Sequence, residues 1–220
     1  LAGIVLAQLI REGTPIVFSG SSSSAEMHTG SLSAGAPEMA LITAATIQMA
    51  RYYNLPVRSG GAVSDAKIPD AQAAHESMMN MLMAQVSGVN FVLHAAGILE
   101  SYNCISYEKF IIDDEICAAL RRIKRAFEVN SETLAIDLIH DVGPGGQFLD
   151  NDHTYKHFKS EFFQPCLSNR DDYINWYEKG ATQSAEKANT RWKEILLNFT
   201  PPDLPEGIHK DLIRFLAENR

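Results

Sequence analysis

Pro56-Val57-Arg58-Ser59-Gly60-Gly61-Ala62-Val63-Ser64-Asp65-Ala66-Lys67-Ile68-Pro69-Asp70-Ala71-Gln72-Ala73-Ala74-His75-Glu76 reads as a short buried strand that stops at a glycine pair, then a polar loop, then a helix opened by Pro69-Asp70. Proline is tolerated in the first turn of a helix and a carboxylate is favoured there. The stretch is therefore a βα unit with its polar residues gathered just past the strand end. In α/β proteins ligands bind at that end, where backbone N–H groups and loop side chains converge above an apolar sheet.

The same pattern recurs on both sides. Upstream, Leu1 to Arg11 has helical spacing and Gly13 is a candidate left-handed cap, after which Pro15-Ile16-Val17-Phe18 resembles a buried parallel strand. It runs into Ser19-Gly20-Ser21-Ser22-Ser23-Ser24, either an anion-holding loop of hydroxyls and amides or a flexible linker. Pro37 and Glu38 suit the first turn of an apolar helix over 39–53. Downstream, the methionines of Met78-Met79-Asn80-Met81-Leu82-Met83 belong on the next helix and are read as helix–sheet packing rather than an adaptable groove. A third strand, Asn90-Phe91-Val92-Leu93-His94, ends at Ala95-Ala96-Gly97.

Strands that alternate with helices in this way imply parallel crossovers. The fold expected is α/β, a partial TIM (β/α)8 barrel corresponding to its C-terminal half, with additional C-terminal helices. A complete barrel usually needs about 250 residues, and the 220-residue chain opens in mid-helix without a methionine. Residues 1–220 are accordingly expected to be a single domain and a fragment of a longer barrel, self-associating as a homo-oligomer to cover its open sheet edge.

Further along, Ser106 to Phe110 reads as a short strand and Asp113-Asp114-Glu115 as the start of a helix through Phe127. Its basic residues Arg121, Arg122, Lys124 and Arg125 either pair with the helix dipole or face an acidic partner. Another helix begins at Ser131-Glu132-Thr133-Leu134; Gly143-Pro144-Gly145-Gly146 then forces a tight path, and without a preceding strand or a lysine it is not a nucleotide P-loop. Asn151 to His157 reads as a capped short helix, the aromatic segment 158–166 as cover for a pocket mouth, and Asp171 to Phe199 as helix stopped by Pro201-Pro202.

Composition narrows the function. A net charge of −8 without clustered lysine and arginine argues against nucleic acid. The apolar opening is too short for a membrane span and lacks a signal peptide's basic start. Cys104, Cys117 and Cys166 are odd in number and lack metal spacing, which speaks for a reducing cytoplasm and against a disulfide framework or a zinc site. His28, His75 and His140 also lack ligand spacing, so no metal is expected.

The candidate site residues follow from strand-end position. Arg58, Asp65, Lys67, Asp70 and Glu76 concentrate charge around one loop, which is costly unless the groups are solvated, paired or used. A Schiff-base lyase built on Lys67 needs a dry site, and Lys67 lies among polar residues. Asp70 also serves as a helix N-terminal carboxylate, worth about 0.3–1 kcal/mol. His94, at a strand end, is either a pocket donor and acceptor or a satisfied structural histidine. Glu100, a turn further on, either meets a cationic ligand or is a surface carboxylate or helix cap.

Four blocks resemble the trimethylamine methyltransferase superfamily: Ser24-Ala25-Glu26-Met27-His28-Thr29-Gly30; Gly35-Ala36-Pro37-Glu38; Gly60 through Ala73; and Gly143-Pro144-Gly145-Gly146-Gln147-Phe148-Leu149. The resemblance implies an enzyme that moves a methyl group from a methylamine or quaternary amine to the Co(I) centre of a cognate corrinoid protein, with no cofactor bound by the chain itself. Every letter is a standard residue, whereas trimethylamine enzymes carry pyrrolysine; that points to the branch acting on donors such as glycine betaine. On this reading Ser22, Ser24, Arg58, Gly60, Gly61, Asp65, His94, Glu100 and Phe148 surround the donor, and Gly143, Gly145 and Gly146 shape a loop. Gly60, His94 and Gly143 are expected around one mouth. A truncated, non-catalytic substrate-binding or assembly domain is the alternative.

Overall fold

The computed structural model describes residues 1–202 and 205–219. The first helix, α1 (Ala2–Ile10), precedes the serine loop, which folds back as a two-residue-a-side antiparallel hairpin of β1 (Ser24–Ala25) and β2 (Leu32–Ser33). The helix α2 (Pro37–Tyr52) follows, with Pro37 and Glu38 in its first turn as their chemistry favours. Then come β3 (Arg58–Gly60), α3 (Ala71–Ser87) and β4 (Phe91–Leu93). Asp70 caps α3, its carboxylate accepting from the Ala73 amide at 3.1 Å. Gly88 closes the helix in the left-handed region at φ 85°, where a Cβ would stand 1.7 Å from the Arg51 guanidinium.

The strands β3 and β4 are parallel, with Arg58 opposite Phe91, Ser59 opposite Val92 and Gly60 opposite Leu93. Phe18 adds a parallel bridge to Val57, its amide donating to Pro56 O at 2.7 Å and its carbonyl accepting from Arg58 N at 2.9 Å. The expected βαβ order is thus present, and the architecture is α/β. The run Pro15 to Phe18 is not the buried strand expected of it: it contributes one bridge, and Val17 is exposed, because among the described residues nothing pairs with its outer side.

Ile47 and Ala50 of α2 pack on Val57 and Phe18; Met81 of α3 packs with Ala62, and Met78, Leu82 and Val92 close round them. Of the methionine stripe, Met81 is therefore core and Met78 half-buried beside it. Transferring such side chains from water contributes about 25 cal/mol per Å².

After β4 the chain makes a second antiparallel hairpin, β5 (Ile98–Leu99) with β6 (Cys104–Ile105), and then α4 (Tyr107–Arg125). The strand expected over Ser106 to Phe110 is the first turn of α4 instead. Ser106 is the N-cap, accepting from the Lys109 amide at 3.2 Å, and a capping hydroxyl fixes a helix start more firmly than a short aromatic run fixes a strand. One turn apart on α4, Lys109 Nζ and Asp113 form a fully buried pair at 2.5 Å. Ser77 Oγ, 2.6 Å from Lys109 Nζ, and the Gly97 amide, which donates to Asp113 at 2.8 Å, complete the network. Burial lowers the Lys109 pKa and raises that of Asp113, and each partner opposes the other's shift.

The rest is helical: α5 (Ser131–Leu134), α6 (Ile136–Val142), α7 (Asp152–Glu161), α8 (Tyr173–Glu178), α9 (Ser184–Leu197) and α10 (Glu206–Glu218). Where one helix was expected over 171–199 there are two, broken at Gly180, which sits at φ 95°. Arg122 donates from Nε to Glu161 O at 2.8 Å and pairs with the Glu161 carboxylate at 2.9 Å, so part of the basic end of α4 anchors α7. No helix among the described residues is long and apolar enough to cross a membrane.

Candidate functional site

Against β3 and the C-terminal end of β4 lies an open chamber of about 250 Å³. The serine loop 19–23 forms one wall, Arg58, Ser59 and Gly60 a second, and Leu93, His94 and Tyr102 a third, with Leu32, Ala34 and Met39 between them. The three βα junctions deliver these groups to one place because parallel strands all end on the same side. No aspartate or glutamate is among the described residues lining the chamber, and Arg58 brings a permanent positive charge. Its Nε donates to Ser19 Oγ at 3.1 Å, which holds the guanidinium at the serine wall.

The third wall is built on unusual backbone. His94 lies at φ 56°, and Glu100, Ser101 and Tyr102 follow one another at 48°, 49° and 82°. Each left-handed non-glycine residue costs about 1–2 kcal/mol. The turn is held by Glu100 N donating to Ala66 O and Ser101 N to Ser64 O, both at 3.0 Å. Ser101 Oγ reaches Leu32 O at 2.9 Å and the Asp65 carboxylate, which also accepts from the Ala34 amide at 2.9 Å. The result sets Tyr102 edge-on to His94, ring centroids 5.1 Å apart and planes at 71°. Burial pushes the Tyr102 phenol above its ordinary pKa, and the neighbouring Arg58 opposes the rise.

Beneath the glycine pair the loop is rigid. Glu76 accepts from Ser64 Oγ at 2.6 Å and from the Asp65 amide at 2.8 Å, and Gln72 donates to its other oxygen at 2.9 Å. A small void of about 10 Å³ there is bordered by Thr43, Gly61, Val63 and Asn80, and shares Ala34, Met39, Gly60 and Tyr102 with the chamber.

Of the residues expected at the site, Ser22, Arg58, Gly60 and His94 line the chamber and Gly61 the void. Asp65 lies behind the wall as a clamp. Ser24 is engaged in its hairpin, Oγ donating to Ser33 O at 2.6 Å, and Glu100 is exposed and outside the lining. Gly143, Gly145, Gly146 and Phe148 are also outside it. They follow α6 rather than a strand, so nothing in the topology directs them to the strand-end rim; a Cβ at Gly143 or Gly145 would meet open space. Lys67 is exposed, Nζ donating to Asp65 O at 2.6 Å, which is the reverse of the dry setting a Schiff-base lysine requires. Tyr102, Ser101 and Asn80 were not singled out from the sequence, and no local pattern marks them.

A larger groove of about 690 Å³ lies along α3 and α4 and is mainly apolar, with Met78, Ile116 and Leu167 in its wall. Phe163 borders it, so the aromatic segment covers this groove rather than the chamber. Among the described residues no group of three or more His, Cys, Asp or Glu side chains is placed to hold a metal ion, and Cys104, Cys117 and Cys166 are free thiols.

A hydroxyl-lined chamber beside parallel strands, with a guanidinium at one wall and Tyr102 and His94 at another, defines an α/β protein with a candidate strand-end site. Comparison with known sequences gives the family. The profile of the trimethylamine methyltransferase (MTTB) family matches residues 1–220, and the chain belongs to that family. It is 46% identical over 218 residues to a glycine betaine methyltransferase of Desulfitobacterium hafniense, covering 99% of this chain and 45% of that protein. It is 36% identical over 224 residues to the proline betaine:corrinoid methyltransferase of Eubacterium limosum, covering 100% and 46%. A trimethylamine methyltransferase of Desulfitobacterium hafniense is 35% identical over 218 residues, covering 99% and 44%. The chain thus spans a little under half the length of these relatives.

Proposed function

We propose that the protein to which this chain belongs transfers a methyl group from a carboxylate-bearing quaternary amine, of the glycine betaine type, to the Co(I) centre of a corrinoid carried by a separate partner protein. On this reading the chain is the C-terminal half of a TIM barrel, and the chamber holds the donor. The observation that carries the choice of donor is charge: Arg58 borders the chamber, and among the described residues no lining carboxylate balances it. A bare cation is poorly served by such a wall, whereas a zwitterion places its carboxylate on Arg58 and the serine hydroxyls. Its ammonium then falls toward the wall that holds Tyr102 and His94, where a π face turned to it attracts positive charge.

The chemistry asks little of the protein. The C–N bond breaks with its electron pair left on nitrogen, so a quaternary ammonium departs as a neutral amine and no general acid is required. The partner's corrinoid supplies the nucleophile; this chain's residues align the donor methyl with it. The chamber is open, and docking of the partner over its mouth excludes water.

The test uses the full-length protein with Co(I) corrinoid protein and a panel of glycine betaine, proline betaine, tetramethylammonium and trimethylamine, followed by corrinoid absorbance. Transfer from one or both betaines alone is expected, and Arg58→Met lowers their kcat/KM about 10- to 100-fold. Transfer from trimethylamine or tetramethylammonium but from neither betaine overturns the assignment. Binding of betaine without transfer supports a recognition domain instead.

A further inference from the structure

We propose that the buried Lys109–Asp113 pair positions the donor site: Asp113 holds the Gly97 amide, and with it the loop that carries His94, against the glycine loop to which Lys109 is tied through Ala62 O. The inference rests on the reading of the chamber as the donor site.

Neither side chain borders the chamber, and each has 0% exposure. Stability alone does not account for them. Apolar residues of similar volume in place of a buried ion pair are often neutral or stabilising, because no charge then has to be desolvated. What an apolar pair cannot supply is directed hydrogen bonds. Lys109 Nζ reaches Ser77 Oγ on α3 at 2.6 Å and Ala62 O, two residues beyond Gly60, at 3.4 Å. Asp113 Oδ2 accepts from the Gly97 amide, three residues beyond His94, at 2.8 Å. One pair on α4 therefore holds both loops that leave β3 and β4.

The loop after β4 is the one that needs holding. β4 ends at Leu93, and His94 turns out of the strand at φ 56°, a left-handed backbone that persists only where its surroundings fix it. Gly97 is anchored on both sides, its amide on Asp113 and its carbonyl accepting from the Ser106 amide at 3.1 Å. With the carboxylate removed, the Gly97 amide becomes a buried donor without an acceptor, and the loop shifts to satisfy it. A loop that is in its binding place a tenth of the time binds donor about tenfold more weakly.

The experiment is glycine betaine calorimetry and urea unfolding on the full-length protein, comparing variants that keep an acceptor at position 113 with one that does not. Lys109→Met keeps the carboxyl, which offers Gly97 an oxygen whether ionised or protonated, and Lys109→Met/Asp113→Asn keeps a carboxamide oxygen. Both are expected to bind within about threefold of wild type, however far their urea midpoints fall. Lys109→Met/Asp113→Leu leaves no charge unpaired but offers no acceptor, so its midpoint recovers relative to Lys109→Met while its dissociation constant rises about tenfold. Affinity that follows the urea midpoint instead of the acceptor, or an unchanged dissociation constant in Lys109→Met/Asp113→Leu, overturns the assignment. If that variant fails to fold, hydrogen exchange of the wild-type protein decides. Linkage is reciprocal, so saturating betaine slows exchange at the Gly97 amide, which lies outside the chamber, at least about fivefold more than across α9; equal slowing overturns the assignment. If wild type binds betaine and these readouts fail, only the role of the pair falls; if wild type binds no betaine, the donor-site reading falls with it.

Discussion

Asp65 Oδ1 accepts the Ala34 amide at 2.9 Å, so a strand-end loop and the hairpin that follows the serine loop are joined through one carboxylate. The same oxygen holds Ser101 Oγ, and Ser101 is the middle of the left-handed run that presents Tyr102. Asp65 acts on the chamber by positioning its walls. Asp65→Ala is expected to weaken glycine betaine binding about tenfold, the effect of losing hydrogen bonds to a charged group, with Asp65→Asn in between. Calorimetry gives the affinity and far-UV circular dichroism checks the fold; an unchanged dissociation constant in Asp65→Ala rules out the clamp.

The two central glycines should respond differently to the same methyl. At Gly61 a Cβ would stand 2.5 Å from Val92 Cγ1 and 2.7 Å from Met81 Sδ, inside a closed core. Gly61→Ala therefore costs stability, about 1–3 kcal/mol by overpacking. At Gly60 the nearest atom is the Tyr102 hydroxyl at 3.5 Å, an ordinary contact on the chamber side. Gly60→Ala should unfold at the wild-type urea midpoint yet bind donor at least several-fold more weakly, because its methyl occupies the neck between chamber and void. Equal stability losses in the two variants would contradict the placement of that wall.

Burial of Lys109 and Asp113 makes the pair costly to break by halves. Lys109→Met leaves an unpaired carboxylate, and Asp113→Leu an unpaired ammonium, in a region where both side chains have 0% exposure. Each single change is expected to destabilise by about 3–5 kcal/mol. The double variant should lose less than the sum, because neither charge is left behind. Urea denaturation of the four proteins decides the matter, and additive losses would show that the two groups are not coupled.

Much of this architecture is legible in the sequence because its signals are local. Pro37, Glu38 and Asp70 open helices through first-turn chemistry, and the short apolar runs ending at Gly60 and His94 mark strand ends that the parallel topology brings together. What escapes a sequence reading is set at long range. The left-handed turn at Glu100, Ser101 and Tyr102 has no glycine to announce it; Ala66 O, Ser64 O and Asp65, all more than thirty residues earlier, impose it. Asn80 looks like one polar residue in a methionine stripe until Ala34 O and Val63 O orient its amide. Phe148 and the glycines before it follow a helix in the sequence reading as in the structure, and they stay outside the chamber lining.

Glu108 gives a pH dependence of known sign. Asn189 Nδ2 and Trp192 Nε1 donate to its Oε1 at 2.7 and 2.8 Å, tying α9 to the start of α4, and Ser106 Oγ donates to the other oxygen at 2.9 Å. These bonds, led by that from Asn189, bring the carboxyl pKa down to about 2 from its ordinary 4.5. A group whose pKa is depressed on folding adds stability that is fully present above the unfolded value and is lost as pH falls through the folded one. The contribution should therefore be constant above about pH 5 and disappear between there and about pH 2. The site is near the surface, so its worth at neutral pH is discounted to about 1 kcal/mol. Glu108→Gln should show that deficit at pH 7 and converge on wild type at low pH, since a protonated carboxyl and a carboxamide accept comparably. Thermal unfolding across the range, with the variant subtracted to remove the other carboxylates, tests it; a deficit that persists undiminished at pH 2 would mean that the charge of Glu108 contributes nothing to holding α9 in place.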